Sequence, residues 1–424
     1  MEVEILENFN IWWRTGKVRE ELLAKYERHL FGKIQKYLKL RHIILIYGLR
    51  RVGKSTMLYQ LISETLKSAD ADHILYFSFD DRRYALEEVL DTYQRMILHN
   101  TLDNVSGRVY VFLDEIQKID DWESKIKVLY DLHPNVKFFL SGSASIALRN
   151  GAKESLAGRI FDFVLDPLSF AEFLEMQGND ISAIKENPAL WNRTIVPLFN
   201  KYIKYGSFPE LVKTRNEEIA RKYINDDVVE KIIYKDLPES FGISDMELLK
   251  TIVDIVARNP GMLVDYASIA KDLKKDQRTI SNYFEYLEFG MIIRFAFNFR
   301  GSPIASRRKL KKAYLQTPNI AFAYGTSIGA LMPKMLENVV MASSGAKFFY
   351  RNAFEVDFIL QEAGKLTGIK VKSSGADAKQ LIKFREKFGD KVKKLLLLTN
   401  TEPERIKGVK TMQMWQYCLF GTDA

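Results

Sequence analysis

The sequence predicts an α/β fold with a parallel sheet, followed by a helical segment, a winged helix-turn-helix and a second α/β region. Three observations lead to this prediction. Short apolar segments alternate with amphipathic helices between residues 43 and 170, which is typical of parallel sheets. Helical periodicity with few turn signals continues from 170 to 258. Residues 264 to 299 then have the pattern of two helices with a short turn between them and a strand after them.

Five apolar segments predict the strands of the first sheet, at residues 43–47, 74–79, 109–113, 136–140 and 161–165. The helix after the first strand carries Leu58, Leu61, Ile62 and Leu66 on one stripe, which predicts packing against the sheet. Asn259-Pro260-Gly261 ends the helical segment. We therefore predict four regions, at residues 1–175, 176–258, 259–305 and 306–424.

The composition is that of a folded globular protein rather than a disordered or fibrous chain. The chain has 424 residues, of which 47% are hydrophobic and 28% are charged. One cysteine and five histidines exclude a disulfide framework and a cysteine-rich zinc cluster. The acidic amino terminus and the short apolar runs predict neither a signal peptide nor a membrane span, so we expect a cytoplasmic protein without membrane partners.

The net charge of +9 is distributed unevenly along the chain. Residues 301–424 contain 21 Lys and Arg against 10 Asp and Glu, whereas the preceding 300 residues are nearly balanced. This asymmetry suits an anionic partner such as DNA, and a solvated lysine-rich surface explains it equally well.

The strongest motif is a glycine-framed loop between the first strand and the following helix. Residues 48–55 have the pattern G-x-x-x-x-G-K-S, in which backbone N–H groups at a helix amino terminus point at phosphates. Lys54 is expected to reach the outer phosphates, and Ser55 to offer a hydroxyl to Mg²⁺. The predicted nucleotide-binding residues are Gly48, Arg50, Arg51, Val52, Gly53, Lys54, Ser55 and Thr56.

Two acids, Asp114 and Glu115, follow the apolar strand at 109–113. The carboxyl ends of parallel strands meet at the edge of the sheet where ligands bind. Asp114 is therefore expected to hold Mg²⁺, and Glu115 to orient and deprotonate an attacking water. This pair favours hydrolysis over phosphoryl transfer to a small acceptor.

Two further residues are weaker candidates for the same site. Ser141 or Ser143, after the strand at 136–140, could contact the terminal phosphate or the water, although a simple Ser/Gly turn also explains them. Arg159 could neutralise charge in the transition state, in its own chain or in a neighbouring one. A surface ion pair explains this arginine equally well.

Six blocks in order resemble the archaeal and bacterial ATPase family of the AAA+/STAND assemblage. They are GLRRVGKST, VYVFLDEIQKIDDWESKIKVLYD, FFLSGSAS, ESLAGR, DPLSFAEF and YGSFPEL, and the resemblance extends over residues 20–375. It implies a P-loop domain, a helical segment, a winged helix and a domain similar to PD-(D/E)XK nucleases. It also implies ATP rather than GTP, and it strengthens the candidacy of Arg159 within the LAGR block.

The predicted helix-turn-helix carries polar and basic residues at the start of its second helix, at 276–289. They are Lys274, Lys275, Gln277, Arg278, Thr279, Ser281 and Asn282, at positions that contact DNA in such motifs. Packing against protein is an equally good explanation. The aromatic and aliphatic residues Tyr283, Phe284, Tyr286, Leu287 and Phe289 are expected in the core. A basic segment, SRRKLKK, follows at 306–312.

The carboxyl-terminal region departs from the nuclease pattern that it resembles. Glu337, Asp357 and Lys372 match that pattern, but Lys370 stands where a metal-binding glutamate is expected. An ammonium about 4 Å from a dication is repelled by roughly 8 kcal/mol at an effective dielectric of about 20. We therefore predict a nuclease-like fold without nuclease activity, with Glu355 as the only substitute ligand considered.

These observations favour an ATP-hydrolysing, Mg²⁺-dependent switch protein that acts on DNA, with oligomer formation possible. The alternative is a nucleotide-gated DNA-binding or signalling protein with little turnover. A small-molecule kinase with the same loop is disfavoured by the Asp-Glu pair.

Overall fold

The computed structural model describes residues 1–80, 83–144, 146, 156–300, 310–325, 327–373, 375 and 377–423. The chain forms two compact units, Met1–Asp166 and Pro167–Ala424. Residues 154–155 of the ESLAGR block and residues 306–309 of the basic segment lie outside the described residues. No helix within the described ranges is both long and apolar enough to cross a bilayer.

The first unit contains a five-stranded parallel sheet, as predicted. Its strands are β1 (Ile43–Gly48), β2 (Ile74–Ser78), β3 (Val109–Asp114), β4 (Val136–Ser143) and β5 (Ile160–Val164). They lie in the order β2-β3-β4-β1-β5, and each neighbouring pair is parallel. Gly48 pairs with Ser143 and Ser78 pairs with Asp114, so the carboxyl ends of four strands lie at one edge of the sheet.

Six α-helices accompany this sheet in the described part of the first unit. They are α1 (Val3–Phe9), α2 (Trp12–Thr15), α3 (His29–Gln35), α4 (Lys54–Thr65), α5 (Leu86–Tyr93) and α6 (Trp122–Leu132). Helix α4 buries Leu58, Leu61 and Ile62, the stripe that the sequence predicted, while Leu66 is half-buried at its end. Short 3₁₀ turns cover Glu20–Leu22, Ala71–His73 and Ile116–Lys118, and a π-helical turn covers Gln94–Leu98.

The outer side of edge strand β2 is hydrogen-bonded by side chains from the amino-terminal helices. The Asn10 side chain accepts a hydrogen bond from the Tyr76 backbone N–H at 2.6 Å and donates one to the Tyr76 carbonyl at 2.8 Å. The indole groups of Trp12 and Trp13 donate to the Ile74 carbonyl at 3.0 and 2.9 Å. On the side of β2 that does not face β3, the backbone N–H and carbonyl of Tyr76 and the carbonyl of Ile74 therefore have hydrogen-bond partners.

The second unit begins with helices, as predicted for residues 170–258. These are α7 (Phe170–Glu175), α8 (Ile181–Glu186), α9 (Pro188–Tyr205), α10 (Glu217–Lys222), α11 (Leu237–Phe241) and α12 (Met246–Arg258). A 3₁₀ turn at Pro209–Leu211 and π-helical turns at Tyr223–Val229 and Ile232–Asp236 join them. Helix α12 ends directly before Asn259-Pro260-Gly261, where Gly261 has a φ of +82°.

Helices α13 (Tyr266–Leu273) and α14 (Gln277–Phe289), with three residues between them, cover the two helices predicted in this region. The side chains of Asp265 and Asp276 cap them by accepting hydrogen bonds from backbone N–H groups in the first turn. Phe284 and Leu287 are buried as expected, whereas Tyr286 and Phe289 are half-buried and stack on Phe241.

One eight-stranded mixed sheet contains strands from both sides of the boundary predicted at residue 305. Its strands are β6 (Met262–Leu263), β7 (Ile293–Asn298), β8 (Lys311–Leu315), β9 (Phe348–Arg351), β10 (Glu355–Glu362), β11 (Lys365–Lys372), β12 (Val392–Thr399) and β13 (Lys410–Gln413). The order is β13-β12-β11-β10-β9-β7-β8-β6. The parallel pair β7–β9 joins the two regions into one sheet.

Four further helices lie among the described residues of this part of the second unit: α15 (Pro318–Tyr324), α16 (Ile328–Ser344), α17 (Lys379–Phe388) and α18 (Met414–Phe420). Helix α17 places Leu381 and Phe384 in an apolar cluster with Val356 and Ile359 of β10 and Leu395 of β12. 3₁₀ turns cover Gly389–Lys391 and Gly421–Asp423.

Lys137, near the amino end of β4, is completely buried. Its ammonium donates to the backbone carbonyls of Tyr37 and His42 and lies 5.2 Å from the centre of the Phe139 ring. Burial, with a smaller contribution from the charge of Arg108, lowers the pKa of Lys137 from 10.5 to about 7. Ionised Lys137 therefore opposes folding at neutral pH.

The substitution Lys137→Met tests this effect. Between about pH 7 and 10.5 the unfolded chain binds a proton that the folded chain has released, so the free energy of unfolding rises with pH. Lys137 contributes up to about 1.4 kcal/mol per pH unit to that rise. We expect K137M to lose this contribution, as measured by urea unfolding at about pH 6, 7.5 and 9.

The control for K137M is Lys25→Met, which changes an exposed lysine of the same unit. The K25M profile should run parallel to that of the wild type. A K137M profile that also runs parallel to the wild type would contradict the assignment.

Candidate functional site

The glycine-framed loop connects the carboxyl end of β1 to the amino end of α4. Gly53 has φ +99° and ψ 27°, a conformation that L side chains rarely adopt, and Arg51 has φ +63°. The first backbone N–H groups of α4 lie directly after this turn, so they have no partners within the helix. The loop therefore presents N–H donors and the positive end of a helix dipole at the sheet edge.

Gly48 is required by the approach of a neighbouring strand end. A Cβ at this position would lie 2.2 Å from the backbone oxygen of Leu165, whose N–H donates to the Tyr47 carbonyl at 2.8 Å. The sequence pattern accounts for this glycine by the turn of the loop and by the close approach of phosphate oxygens. The structure adds a packing requirement that acts without any ligand.

Buried Arg28 holds the other side of the loop. Its guanidinium donates to the Val52 carbonyl and to the Asp166 carbonyl, both at 2.8 Å. One rigid side chain thereby fixes the backbone of the loop against the end of the first unit. No sequence motif indicated this role.

Lys54 and Ser55 begin α4 at the centre of the site. The Lys54 ammonium is buried and donates to the carbonyls of Gly48 and Leu49 at 3.2 and 3.1 Å. The Ser55 residue is exposed, and its hydroxyl donates to Oδ2 of Asp114 at 2.5 Å. The loop and the acid strand therefore meet at these two residues.

Asp114 is a buried carboxylate that accepts hydrogen bonds from four groups. Besides Ser55, these are the Tyr76 hydroxyl at 3.1 Å, the backbone N–H of Glu115 at 3.0 Å and the Ser141 hydroxyl. Burial, and then the negative charge of Asp114, raise the pKa of Tyr76 well above its usual value. Tyr76 therefore remains a neutral donor to this carboxylate at physiological pH.

The oxygen atoms of Ser55 and Asp114 fit a Mg²⁺ ion. They are a hydroxyl and a carboxylate within 2.5 Å of each other, and Mg²⁺ is usually bound by one or two such protein ligands together with phosphates and water. Within the described ranges, no group of three or more His, Cys, Asp or Glu side chains could hold a metal by itself.

Glu115 occupies a left-handed backbone conformation, with φ +54° and ψ 41°. This conformation is uncommon for a residue other than glycine and is typical of functional sites. Its Oε2 accepts a hydrogen bond from the Gln117 side chain at 2.5 Å. Glu115 is half-buried and directly follows Asp114, the last residue of β3.

The structure brings together some of the predicted site residues and separates one of them from the rest. Ser141 lies in the site, where its buried hydroxyl donates to Asp114. Arg159 precedes β5 at the opposite end of the sheet, where its backbone oxygen accepts from the Ile43 N–H. Its guanidinium pairs with Asp131 at 2.9 and 3.2 Å, which is the surface ion pair considered as an alternative.

A second charged cluster lies in the carboxyl-terminal region. Lys370 donates to Oδ1 of Asp357 at 2.7 Å, and the backbone N–H of Val371 donates to Oδ2 at 2.7 Å. Lys312 lies 3.4 Å from Glu337 and 2.7 Å from Glu355. Two ammonium groups therefore lie among three carboxylates.

The charges in this cluster shift the pKa values of its members. Burial alone would lower the pKa of Lys312, but Glu337 and Glu355 raise it above its usual value. Burial and the charge of Asp357 raise the pKa of Glu337, although Lys312 opposes this effect. Lys372, the remaining predicted member, pairs with Asp377 at 3.6 Å.

Five of the seven residues predicted to contact DNA are exposed, whereas Thr279 and Ser281 are half-buried. Lys274, Gln277, Arg278 and Asn282 are exposed, and Lys275 pairs with Asp245 at 2.8 Å. In the basic segment, by contrast, Lys312 is buried in the cluster described above. Lys311 stacks on Phe295, and burial lowers its pKa. Lys312 is therefore not available to a nucleic acid, whereas Lys311 is half-buried.

Family models match three parts of the chain. Residues 40–174 match an AAA domain, which includes the loop and both acids. Residues 196–322 and 329–417 match two domains of unknown function, DUF8612 and DUF4143. The resemblance to P-loop ATPases is thus confirmed for the first unit, which has the character of an AAA-type nucleotide-binding domain.

Two similar proteins carry no assigned function. An uncharacterized protein of Methanocaldococcus jannaschii is 26% identical over 75% of this chain and 72% of its own length. An uncharacterized protein of Haemophilus influenzae is 26% identical over 78% of this chain and 82% of its own length.

Among solved structures, the Aeropyrum pernix Orc1 protein in complex with DNA is 13% identical over 73% of this chain and 95% of its own, with a TM-score of 0.31. A TM-score this low supports no conclusion about this chain.

The packing at Gly48 leads to a stability prediction. In Gly48→Ala, the new Cβ would meet the Leu165 oxygen at 2.2 Å, so the backbone must shift. We expect the free energy of unfolding of this unit to fall by about 1–3 kcal/mol. Urea unfolding measures it.

The matched control for G48A is Gly32→Ala in α3, where a Cβ has no atom within 4 Å. It should raise the stability by about 0.5–1 kcal/mol, because alanine favours the helix. Equal effects of the two substitutions would refute the packing argument.

Proposed function

We propose that the chain is a Mg²⁺-dependent ATPase that works as a nucleotide-controlled switch. The observation that carries the proposal is the contact between Ser55 of the loop and Asp114 of the acid strand, with Glu115 adjacent. A hydroxyl, a buried carboxylate and a second carboxylate thus lie at the helix amino terminus where phosphates bind. ATP is the expected nucleotide by resemblance.

The residues at the junction of the loop with α4 have defined parts in nucleotide binding. The N–H groups after Gly53 donate to phosphate oxygens, and the Lys54 ammonium neutralises the outer phosphates. Ser55 and Asp114 would hold Mg²⁺, which supplies positive charge to the phosphates when it is bound. Tyr76 and Ser141 donate to Asp114 and so fix the orientation of its carboxylate.

Glu115 acts as the general base for hydrolysis. It takes a proton from a water molecule while the water oxygen forms a bond to the terminal phosphorus. The bond from that phosphorus to the bridging oxygen breaks, and ADP and inorganic phosphate leave. Ser141 contacts Asp114 in the structure, and we retain its predicted contact with the terminal phosphate or water as part of the proposal.

We place Arg159 outside the catalytic group of its own chain, because it lies at the amino ends of the strands and pairs with Asp131. A role in the site of a neighbouring chain remains part of the proposal. The mass in solution with and without ATP tests for such an oligomer.

DNA is the proposed partner of the second unit. The order α12, β6, α13, α14, β7 and β8 supports a winged helix, although residues 301–309 between β7 and β8 lie outside the described residues. Lys274 and Arg278 are exposed at the start of α14, where phosphate contacts are made in such motifs. Binding of this kind weakens steeply with salt.

The carboxyl-terminal region is proposed to be nuclease-like without nuclease activity. Lys370 forms an ion pair with Asp357, the acid that would otherwise coordinate a metal. Glu355, the substitute ligand named from the sequence, pairs with Lys312 at 2.7 Å. Both acids thus already have an ammonium as counterion, which supports the interpretation of this cluster as a remnant.

Two substitutions test the ATPase proposal. Lys54→Ala should abolish ATP binding in calorimetry, because it removes the positive charge from the phosphate site. Glu115→Gln should retain ATP affinity and lower the turnover by about 100-fold or more, because it removes the general base. Release of phosphate measures turnover, and equal turnover by both variants and the wild type would refute the proposal.

The same assay with DNA distinguishes the switch from the alternative function. DNA-stimulated release of phosphate supports the switch. Nucleotide-dependent DNA affinity with little phosphate release supports a nucleotide-gated binding or signalling protein instead. A salt titration of the binding reports the number of phosphate contacts.

The nuclease-like region generates a further prediction. We expect no cutting of plasmid or single-stranded DNA in Mg²⁺ or Mn²⁺, because Lys370 neutralises Asp357. An agarose gel assay of the wild type checks this, with Asp357→Ala as the control for contaminating nucleases. Metal-dependent cutting that disappears in D357A would refute the prediction.

A further inference from the structure

Gln117 links the proposed general base to the neighbouring strand through both ends of its side chain. It lies in the 3₁₀ turn Ile116–Lys118, directly after the left-handed residue Glu115. Its amide nitrogen donates to Oε2 of Glu115 at 2.5 Å. Its amide oxygen accepts from the backbone N–H of Ser143, at the carboxyl end of β4, at 3.2 Å.

Gly142 provides the space that this side chain occupies. A Cβ on Gly142 would lie 2.3 Å from the amide oxygen of Gln117 and 2.8 Å from Cδ1 of Ile146. Only a glycine at this point of β4 allows the Gln117 amide to reach the Ser143 N–H. Two independent features, a pair of hydrogen bonds and a glycine next to them, therefore fix the same side chain.

We propose that Gln117 is a positioning residue that holds the Glu115 carboxylate in the orientation needed to accept a proton from water. This inference rests on the proposed ATPase function. The backbone conformation of Glu115 fixes the direction of its Cα–Cβ bond but does not by itself set the side-chain torsions. The hydrogen bond from Gln117 restricts them, and the bond from Ser143 holds Gln117 itself.

Gln117 is therefore expected to affect the rate of the chemical step and not the binding of the nucleotide. The hydrogen bonds of the Gln117 side chain go to Glu115 and Ser143, and neither of these residues belongs to the glycine-framed loop at 48–55. A base that is held in place loses little orientational freedom when the reaction begins, and this lowers the barrier. Removal of Gln117 should therefore lower kcat and leave the affinity for ATP unchanged.

The substitution Gln117→Met retains the length of the side chain and removes both hydrogen bonds. We expect kcat for phosphate release to fall about 10- to 100-fold, the range for a lost hydrogen bond to a charged group. The KM and the calorimetric affinity for ATP should stay within about twofold of the wild type. Gln35→Met, at an exposed glutamine at the end of α3, is the matched control and should change neither value.

Two double variants separate positioning from a general structural effect. In the Glu115→Gln background, Q117M should have no further effect, because Gln117 acts only through that carboxylate. Gly142→Ala should lower kcat by displacing the Gln117 amide. In the Gln117→Ala background the amide is already absent, so the additional G142A substitution should change kcat only slightly.

The outcomes identify which statement fails. Unchanged or faster turnover in Q117M, with ATP bound and hydrolysed normally by the wild type, would overturn the positioning role alone. The positioning role would also be overturned if Q117M lowered the kcat of E115Q by the same factor as it lowers the kcat of the wild type. Wild-type protein that neither binds nor hydrolyses ATP would refute the proposed function itself.

Discussion

The buried carboxylate of Asp114 is the point on which the architecture of the site depends. Its hydrogen bonds come from α4, β2 and β4, so one side chain on β3 connects three other elements of the first unit. A buried carboxylate needs such donors, because burial without them is very costly. The donors in turn have a fixed position only because the strands are parallel and end at the same edge. The parallel sheet thus provides the same arrangement of strand ends that the buried carboxylate of Asp114 needs for its hydrogen-bond donors.

The two charged clusters of the chain balance their acids in different ways. Around Asp114 the described donors are hydroxyl and backbone N–H groups, and none of these hydrogen bonds comes from a lysine or an arginine. Around Asp357 and Glu355 the balancing cations are the lysines Lys370 and Lys312, which belong to the chain itself. A buried ion pair contributes little net stability, but the loss of one partner is strongly destabilising. The second cluster is therefore a fixed structural element.

Much of the first unit followed from sequence, because its signals are local. The five strands lie within about three residues of their predicted ends, and the pattern G-x-x-x-x-G-K-S located the loop. Arg28, Tyr76 and Gln117 were missed, since each acts on residues that are distant in sequence or through a side-chain geometry that no spacing encodes. The burial of Lys312 was missed for a related reason. A lysine in a basic run normally indicates an exposed side chain, and only the folded chain brings Glu337 of α16 and Glu355 of β10 next to it. The shared eight-stranded sheet likewise depends on a long-range pairing between β7 and β9.

The contacts of Asn10 have a consequence for how the chain behaves among copies of itself. Its amide substitutes for a peptide group of an additional strand, and the two indoles beside it complete the row. An edge strand without such a cover is a template onto which a strand from another molecule can add, and this is a common route to aggregation. The amino-terminal helices therefore protect the chain from aggregation. A truncation that removed them would expose the backbone groups of β2 to strands of other molecules, even though every residue of the nucleotide site would be retained.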